Sequence, residues 1–181
     1  MKSLIAALVV AVIAVAGPAR ADDDHKSRAG TTFGGRAAYF NPKGPDNGAW
    51  SGGAQLRFHL SPVLGIEGSA DWRQQKSGPT TIDIYPVQAS LLVYPLPELP
   101  ITPFLLAGGG WYYTHVHGQP TQNRFGPHAG AGVEWFLARH WSVDGTYRYV
   151  WVDTVDTPAN PLRRDYDESG SMVTAALNYR W

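Results

Sequence analysis

Ala54-Gln55-Leu56-Arg57-Phe58-His59-Leu60 alternates without a break, with apolar side chains at even positions and polar ones at odd positions. Ser61-Pro62-Val63 interrupts the rhythm, and Leu64-Gly65-Ile66-Glu67-Gly68-Ser69-Ala70-Asp71-Trp72-Arg73 resumes it. Successive side chains of a strand point to opposite faces, so a period of two reads as a strand with one apolar and one polar face. Two such runs separated by a short Pro-containing break predict an antiparallel hairpin. If the hairpin is symmetric about Pro62, Leu60 opposes Leu64 and Arg57 opposes Glu67, because the numbers of each pair have the same sum. Arg57 and Glu67 then share the polar face and form a cross-strand pair.

The same rhythm recurs along the chain. Thr32–Phe40 is a Gly-rich, weaker example carrying Gly34, Gly35 and Arg36. Thr81–Tyr94 sets Tyr85, Val87, Ala89, Leu91 and Val93 against Gln88 and Ser90. Thr102–Tyr113 contains Gly108-Gly109-Gly110 followed by Trp111-Tyr112-Tyr113. Phe125–Phe136 sets Ala129, Ala131, Val133 and Trp135 against His128, Glu134 and three glycines. Trp141–Val150 sets Trp141, Val143, Tyr147 and Tyr149 against Ser142, Asp144, Thr146 and Arg148. Ser171–Trp181 sets Val173, Ala175, Leu177, Tyr179 and Trp181 against Thr174, Asn178 and Arg180. With the opening hairpin these make eight strands. The breaks at 61–63, 95–101 and 137–140 are tighter; those at 41–49, 74–80, 114–124 and 151–168 are mostly longer and more polar. Short turns at one end and longer loops at the other are the pattern of an up-and-down transmembrane barrel. Pro95–Pro100 (PLPELP) is long for such a turn and reads as an irregular proline turn.

Composition agrees with an all-β chain. Gly (20) and Pro (14) together make about a fifth of the 181 residues, more than long helices tolerate. Charged residues are 17%, against about 25% in ordinary globular chains. The absence of cysteine excludes a disulfide scaffold, a thiolate zinc site and a cysteine nucleophile. A formal net charge of zero argues against nucleic acid as a partner.

Alternation alone also fits a soluble barrel with its apolar face inward. The two faces of this chain favour the inverted arrangement. The polar face collects Arg36, Arg57, Glu67, Asp71, Arg73, Gln88, Glu134, Asp144, Arg148 and Arg180 together with Gly and Ser, as the crowded interior of a narrow barrel requires. On the apolar face, aromatic residues gather at strand ends: Trp72, Tyr85, Trp111, Tyr113, Trp135, Trp141, Tyr147, Tyr149, Tyr179 and Trp181. Trp and Tyr girdles belong at membrane–water interfaces. The reading is therefore an eight-stranded antiparallel transmembrane β-barrel over residues 31–181.

Residues 1–21 read as a secretory signal peptide: Lys2, an apolar run from Leu4 to Ala16, and a small-x-small site ending at Ala21. Its removal takes Lys2 and Arg20 and leaves 13 basic against 15 acidic residues. The tail 22–30 that follows, opening with Asp22-Asp23-Asp24, is expected to be disordered.

Three segments carry a family likeness: Pro103–Trp111 (PFLLAGGGW), Gly130–Phe136 (GAGVEWF) and Trp141–Tyr149 (WSVDGTYRY). With the terminal strand ending at Trp181, they resemble the small OmpA/OmpX-type outer-membrane β-barrel family. The resemblance implies residence in the bacterial outer membrane, contact with its lipid and lipopolysaccharide, and a monomeric barrel. It also implies that Leu177, Tyr179 and Trp181 form the terminal aromatic signal read by the barrel-assembly machinery.

Candidate chemistry is sparse. The lipid-deacylating members of such barrels use a His with a nearby Ser and an orienting carboxylate. Here His128 is followed by Ala129 and Gly130, and Glu134 shares its face in the lumen rather than facing lipid. His115 and His117 lie on one side of an extended segment, but zinc takes three or four ligands. Arg163-Arg164 lies among Asp165, Asp167 and Glu168, a mixed-charge loop with a weak potential for lipopolysaccharide phosphates. No catalytic residue, metal or cofactor is therefore expected. Three classes of function are open: a structural or surface-interaction barrel, a lipid-modifying enzyme, and a narrow pore. Eight strands enclose an interior that side chains fill, which places the first ahead of the others. Glu134 and Asp144 flank the 137–140 break, and two lumen carboxylates so close need a cation, with Arg57, Arg148 and Arg180 as candidates. The expectation is a polar plug.

Overall fold

The computed structural model describes residues 30–43, 48–77, 80–116, 122–152 and 169–181. Eight strands follow in chain order: β1 (Gly30–Pro42), β2 (Ala49–His59), β3 (Leu64–Ser77), β4 (Thr80–Val93), β5 (Ile101–Val116), β6 (Gln122–Phe136), β7 (Trp141–Val150) and β8 (Gly170–Arg180). Each pairs antiparallel with the next, and β8 pairs with β1 to close the barrel. Closure leaves no unpaired strand edge, the condition for sheet in hydrocarbon, where no water satisfies a stray N–H or C=O.

The quoted hairpin has the expected register. Arg57 faces Glu67 and His59 faces Gly65, and the Leu60 N–H donates to the Leu64 carbonyl at 2.9 Å. Glu134 likewise faces Asp144 across β6 and β7. The loop ends of four strands differ from the sequence reading. β3 and β4 run through most of 74–80, while β5 and β6 run into 114–124, because backbone pairing continues past the last strongly alternating residues. The signal peptide expected over residues 1–21, Asp22–Asp24, His117, Arg163 and Arg164 lie outside the described residues.

Parity sorts the side chains into two environments. The aromatics expected on the apolar face point outward: Trp72, Tyr85, Trp111, Tyr113, Trp141, Tyr147, Tyr179 and Trp181 are exposed, and Trp135 is half-exposed. Phe33, Trp50, Phe58, Phe125 and Trp151 join them. They form two belts. Trp50, Trp72, Tyr85, Trp111, Phe125, Tyr147 and Trp151 ring the loop end, and Trp135, Trp141, Tyr179 and Trp181 form an arc along the β6–β8 side of the turn end. Phe125 and Trp135 are ten residues apart on β6. At about 3.4 Å per residue and a strand tilt of about 40°, their separation along the axis is about 26 Å, close to the roughly 25 Å apolar band of transmembrane barrels. Edge-on pairs stiffen both belts, with Trp111 and Phe125 at 5.0 Å and Trp141 and Tyr179 at 5.1 Å between centroids.

Candidate functional site

The inward face holds the one dense array of charge among the described residues. Arg57 from β2 reaches three carboxylates. Its Nη2 lies 2.6 Å from Glu67 and 3.5 Å from Asp144, and its Nη1 donates to Glu134 at 3.0 Å. Glu67 from β3 is the reciprocal hub, also accepting from Arg148 Nη2 at 3.2 Å and lying 3.9 Å from Arg36 Nη1. Arg36 closes a two-pronged pair with Asp71, Nε to Oδ1 at 2.9 Å and Nη2 to Oδ2 at 2.8 Å. Arg148 also donates to Gln88 Oε1 at 3.0 Å. Three guanidiniums thus interlock with four carboxylates. Arg73, just above, lays its guanidinium 4.5 Å from the centre of the Phe40 ring.

Neutral donors complete the array. Asp144 accepts from Gln55 Nε2 at 2.9 Å and Asn178 Nδ2 at 2.7 Å. Glu134 accepts from Ser142 Oγ at 2.8 Å and Tyr94 Oη at 3.2 Å. This explains how two acids can face each other: Arg57 spans both, and each has its own hydroxyl or amide donors. A buried charge without such partners would cost several kcal/mol.

Arg180 does not join the array. It has the inward parity, but it lies at the turn end of β8 with its guanidinium 5.1 Å from the Phe136 ring centre. Its Nε and Nη2 have no hydrogen-bond partner, and it makes no ion pair among the described residues. The shear of the strands puts it a layer away from Glu134 and Asp144, an offset that parity alone does not encode.

The plug is polar only in its middle. At the loop end Ala38, Phe40, Tyr112, Val150, Val152 and Met172 form an apolar layer across the lumen. Toward the turns, Leu92, Tyr94, Phe104 and Leu106 form a second cluster. Alternation assigns apolar side chains to the outer face and so reveals neither cluster. β5 is apolar at both parities, with Ile101, Leu105 and Trp111 outside and Phe104, Leu106 and Tyr112 inside. Glycine makes the inner layers fit. The Phe104 ring lies over Gly132, its cross-strand neighbour, and a Cβ there would meet ring carbon Cζ at 2.5 Å.

Ser90 was not singled out by the sequence, yet its Oγ lies 2.8 Å from His128 Nε2. The two sit on β4 and β6 and meet over Gly108 of the intervening β5. His128 Nδ1 has no partner, so no carboxylate orients the ring. Both side chains are buried in the lumen. The pair therefore lacks the third member and the lipid-facing position of a deacylase triad. His115 lies on β5 opposite Asp83. No group of three or more metal-ligating side chains occurs among the described residues.

A closed eight-stranded barrel with an ionic lumen, an apolar exterior and two aromatic belts defines the class of small transmembrane β-barrels. The sequence profile of the family "Outer membrane protein beta-barrel domain" matches residues 5–180, and the chain belongs to that family. It is a bacterial outer-membrane protein. Among solved structures, Neisserial surface protein A superposes with a TM-score of 0.66 at 16% identity, over 83% of this chain and 96% of that one. OprG of Pseudomonas aeruginosa gives 0.62 at 13% identity, over 88% and 99%. Ail, the attachment invasion locus protein of Yersinia pestis, gives 0.50 at 16% identity, over 84% and 97%. No curated protein sequence matches the chain.

Proposed function

We propose that this protein is a sealed outer-membrane barrel in a structural or surface-interaction role, a rigid mount that carries its loops on the cell surface. The observation that supports this reading is the filled lumen, in which an interlocked ionic layer lies between two apolar layers. An ion crossing it would have to displace Arg57 from three carboxylates and then pass two clusters of mostly apolar side chains. A neighbour of the same fold is named a surface protein and another for attachment and invasion, which fits such a role. In this reading the barrel is a monomer without cofactor. Its partners are the surrounding lipid and lipopolysaccharide, and, during biogenesis, the assembly machinery that reads Leu177, Tyr179 and Trp181.

Planar-bilayer recording on the purified, refolded barrel tests the seal, and no discrete conductance steps are expected. Regular steps that persist across preparations would replace this reading with the pore. Incubation with lipopolysaccharide and phospholipid, followed by mass spectrometry of the lipids, tests the enzyme reading. Unchanged acyl chains are expected.

A further inference from the structure

The rim that carries the short turns is split into two unlike halves. The turn 60–63, between β2 and β3, and the turn 94–100, between β4 and β5, are adjacent and tied together by the Tyr94 N–H donating to the Val63 carbonyl at 2.9 Å. Between them they expose Leu60 (57%), Val63 (49%), Leu96 (54%) and Leu99 (44%). This lip continues the outward apolar surface of Phe58, Ile66, Leu91, Val93 and Ile101 on the same four strands. Across the barrel, the turn 137–140 instead exposes Arg139 and His140, with Arg180 beside it.

The backbone of the lip is built to leave water. In the turn 60–63, Leu60 and Ser61 donate to the Leu64 carbonyl, Val63 donates to Ser61 Oγ, and Pro62 has no N–H. In the turn 94–100, Pro95, Pro97 and Pro100 have no N–H, Tyr94 donates to Val63, and Leu99 donates to the Leu96 carbonyl at 3.4 Å. Thr102 Oγ1 caps the Leu99 carbonyl at 2.7 Å. Few donors are left to require solvent, which is what a bilayer demands of any backbone entering it. The proline run is thus accounted for: it supplies a turn with exposed leucines and few unsatisfied N–H groups. Glu98, at the tip, is exposed, and a carboxylate there favours headgroup depth over the hydrocarbon.

We infer that the turns 60–63 and 94–100 form an apolar lip inserted into the periplasmic leaflet, so that the barrel sits tilted with its β2–β5 side deeper and Arg139 and His140 at the aqueous boundary. The occupant of this surface is phospholipid. Continuity with the lipid-facing wall argues for it, since no polar rim separates the lip from that wall.

The natural chain has no cysteine, so single labels report one site each. Val63→Cys, Leu96→Cys and Arg139→Cys would each carry a nitroxide in the full-length barrel, reconstituted in phosphatidylethanolamine/phosphatidylglycerol vesicles. Heat-shifted gel mobility verifies folding, and Leu99→Cys serves if Leu96→Cys does not fold. The ratio of oxygen to nickel-chelate accessibility is expected to be several-fold higher at 63 and 96 than at 139. Equal ratios at all three sites would overturn the insertion. So would labels at 63 and 96 shielded from both relaxants, with spin–spin broadening that grows with protein density, since a second copy would then cover the lip.

Discussion

The middle of the lumen and its loop end are held by opposite means. In the middle, Arg57, Arg148 and Arg36 are locked to Glu67, Asp71, Glu134 and Asp144 by short, directional contacts. At the loop end Phe40, Val150, Val152 and Met172 touch without direction, around a Tyr112 ring anchored by Gln88. Buried ion pairs repay their desolvation only where geometry and extra hydrogen bonds are good, and breaking one strands its partners. Apolar packing degrades by degrees as volume is lost. The ionic layer is therefore the brittle part of the barrel and the apolar layer the tolerant part. An ionic layer can serve here because the wall outside it is already apolar. The inside of the barrel is the one place where charged side chains can be buried together and satisfy one another.

The largest effect that would sharpen this contrast is expected at Glu67. Glu67→Ala removes the acceptor of Arg57 and Arg148 together and should destabilise the barrel by about 3–5 kcal/mol, read as a lower urea midpoint in detergent or vesicles. The Arg57→Ala/Glu67→Ala double variant should recover part of that loss, and strictly additive effects would show that the two residues do not act as a pair. Met172→Ala in the apolar layer should cost about 2–5 kcal/mol, without conductance in a planar bilayer. If instead Met172→Ala opened regular steps and Glu67→Ala did not, the seal would belong to the apolar layer. Gln88→Ala, which removes an acceptor for Arg148 and a donor to Tyr112, should cost about 1–3 kcal/mol in the same titration. Smallest in stability is removal of Trp181. It is mostly exposed at the turn end, so its loss should leave the urea midpoint nearly unchanged. The amount of barrel recovered in outer-membrane fractions should nevertheless fall. Unchanged recovery would remove Trp181 from the assembly signal.

The two layers also differ in how readable they were. The ionic layer was largely legible because charge is rare in this chain and, away from the loop ends of β3 and β4 where Lys76 and Asp83 depart from it, falls on the inward parity of its strand. Arg57, Glu67, Glu134, Asp144 and Arg148 could be gathered, and two cross-strand pairs derived, from the alternation and the turn positions. Gln55, His59, Ser142 and Asn178 share those parities and bind the same carboxylates or their neighbours. Their strand positions were the available signal. The apolar layers were not legible, because an inward Phe104 and an outward Leu105 look alike in a list of residues.

By itself the sequence determined the number of strands, the two faces of most of them, the hairpin register at Pro62 and the inversion that puts apolar side chains outside. All of these follow from local rules: period two, turn chemistry and the interfacial preference of aromatic rings. Only the tertiary structure decided which residues meet across the lumen. Arg57 reaching Glu134, Ser90 reaching His128 over Gly108, and Arg180 falling short of the carboxylates depend on strand stagger and barrel closure. The same holds for the joining of turns 60–63 and 94–100 into one apolar lip. Closure brings together residues far apart in the chain at heights fixed by the shear of the whole sheet, and no single strand carries that information.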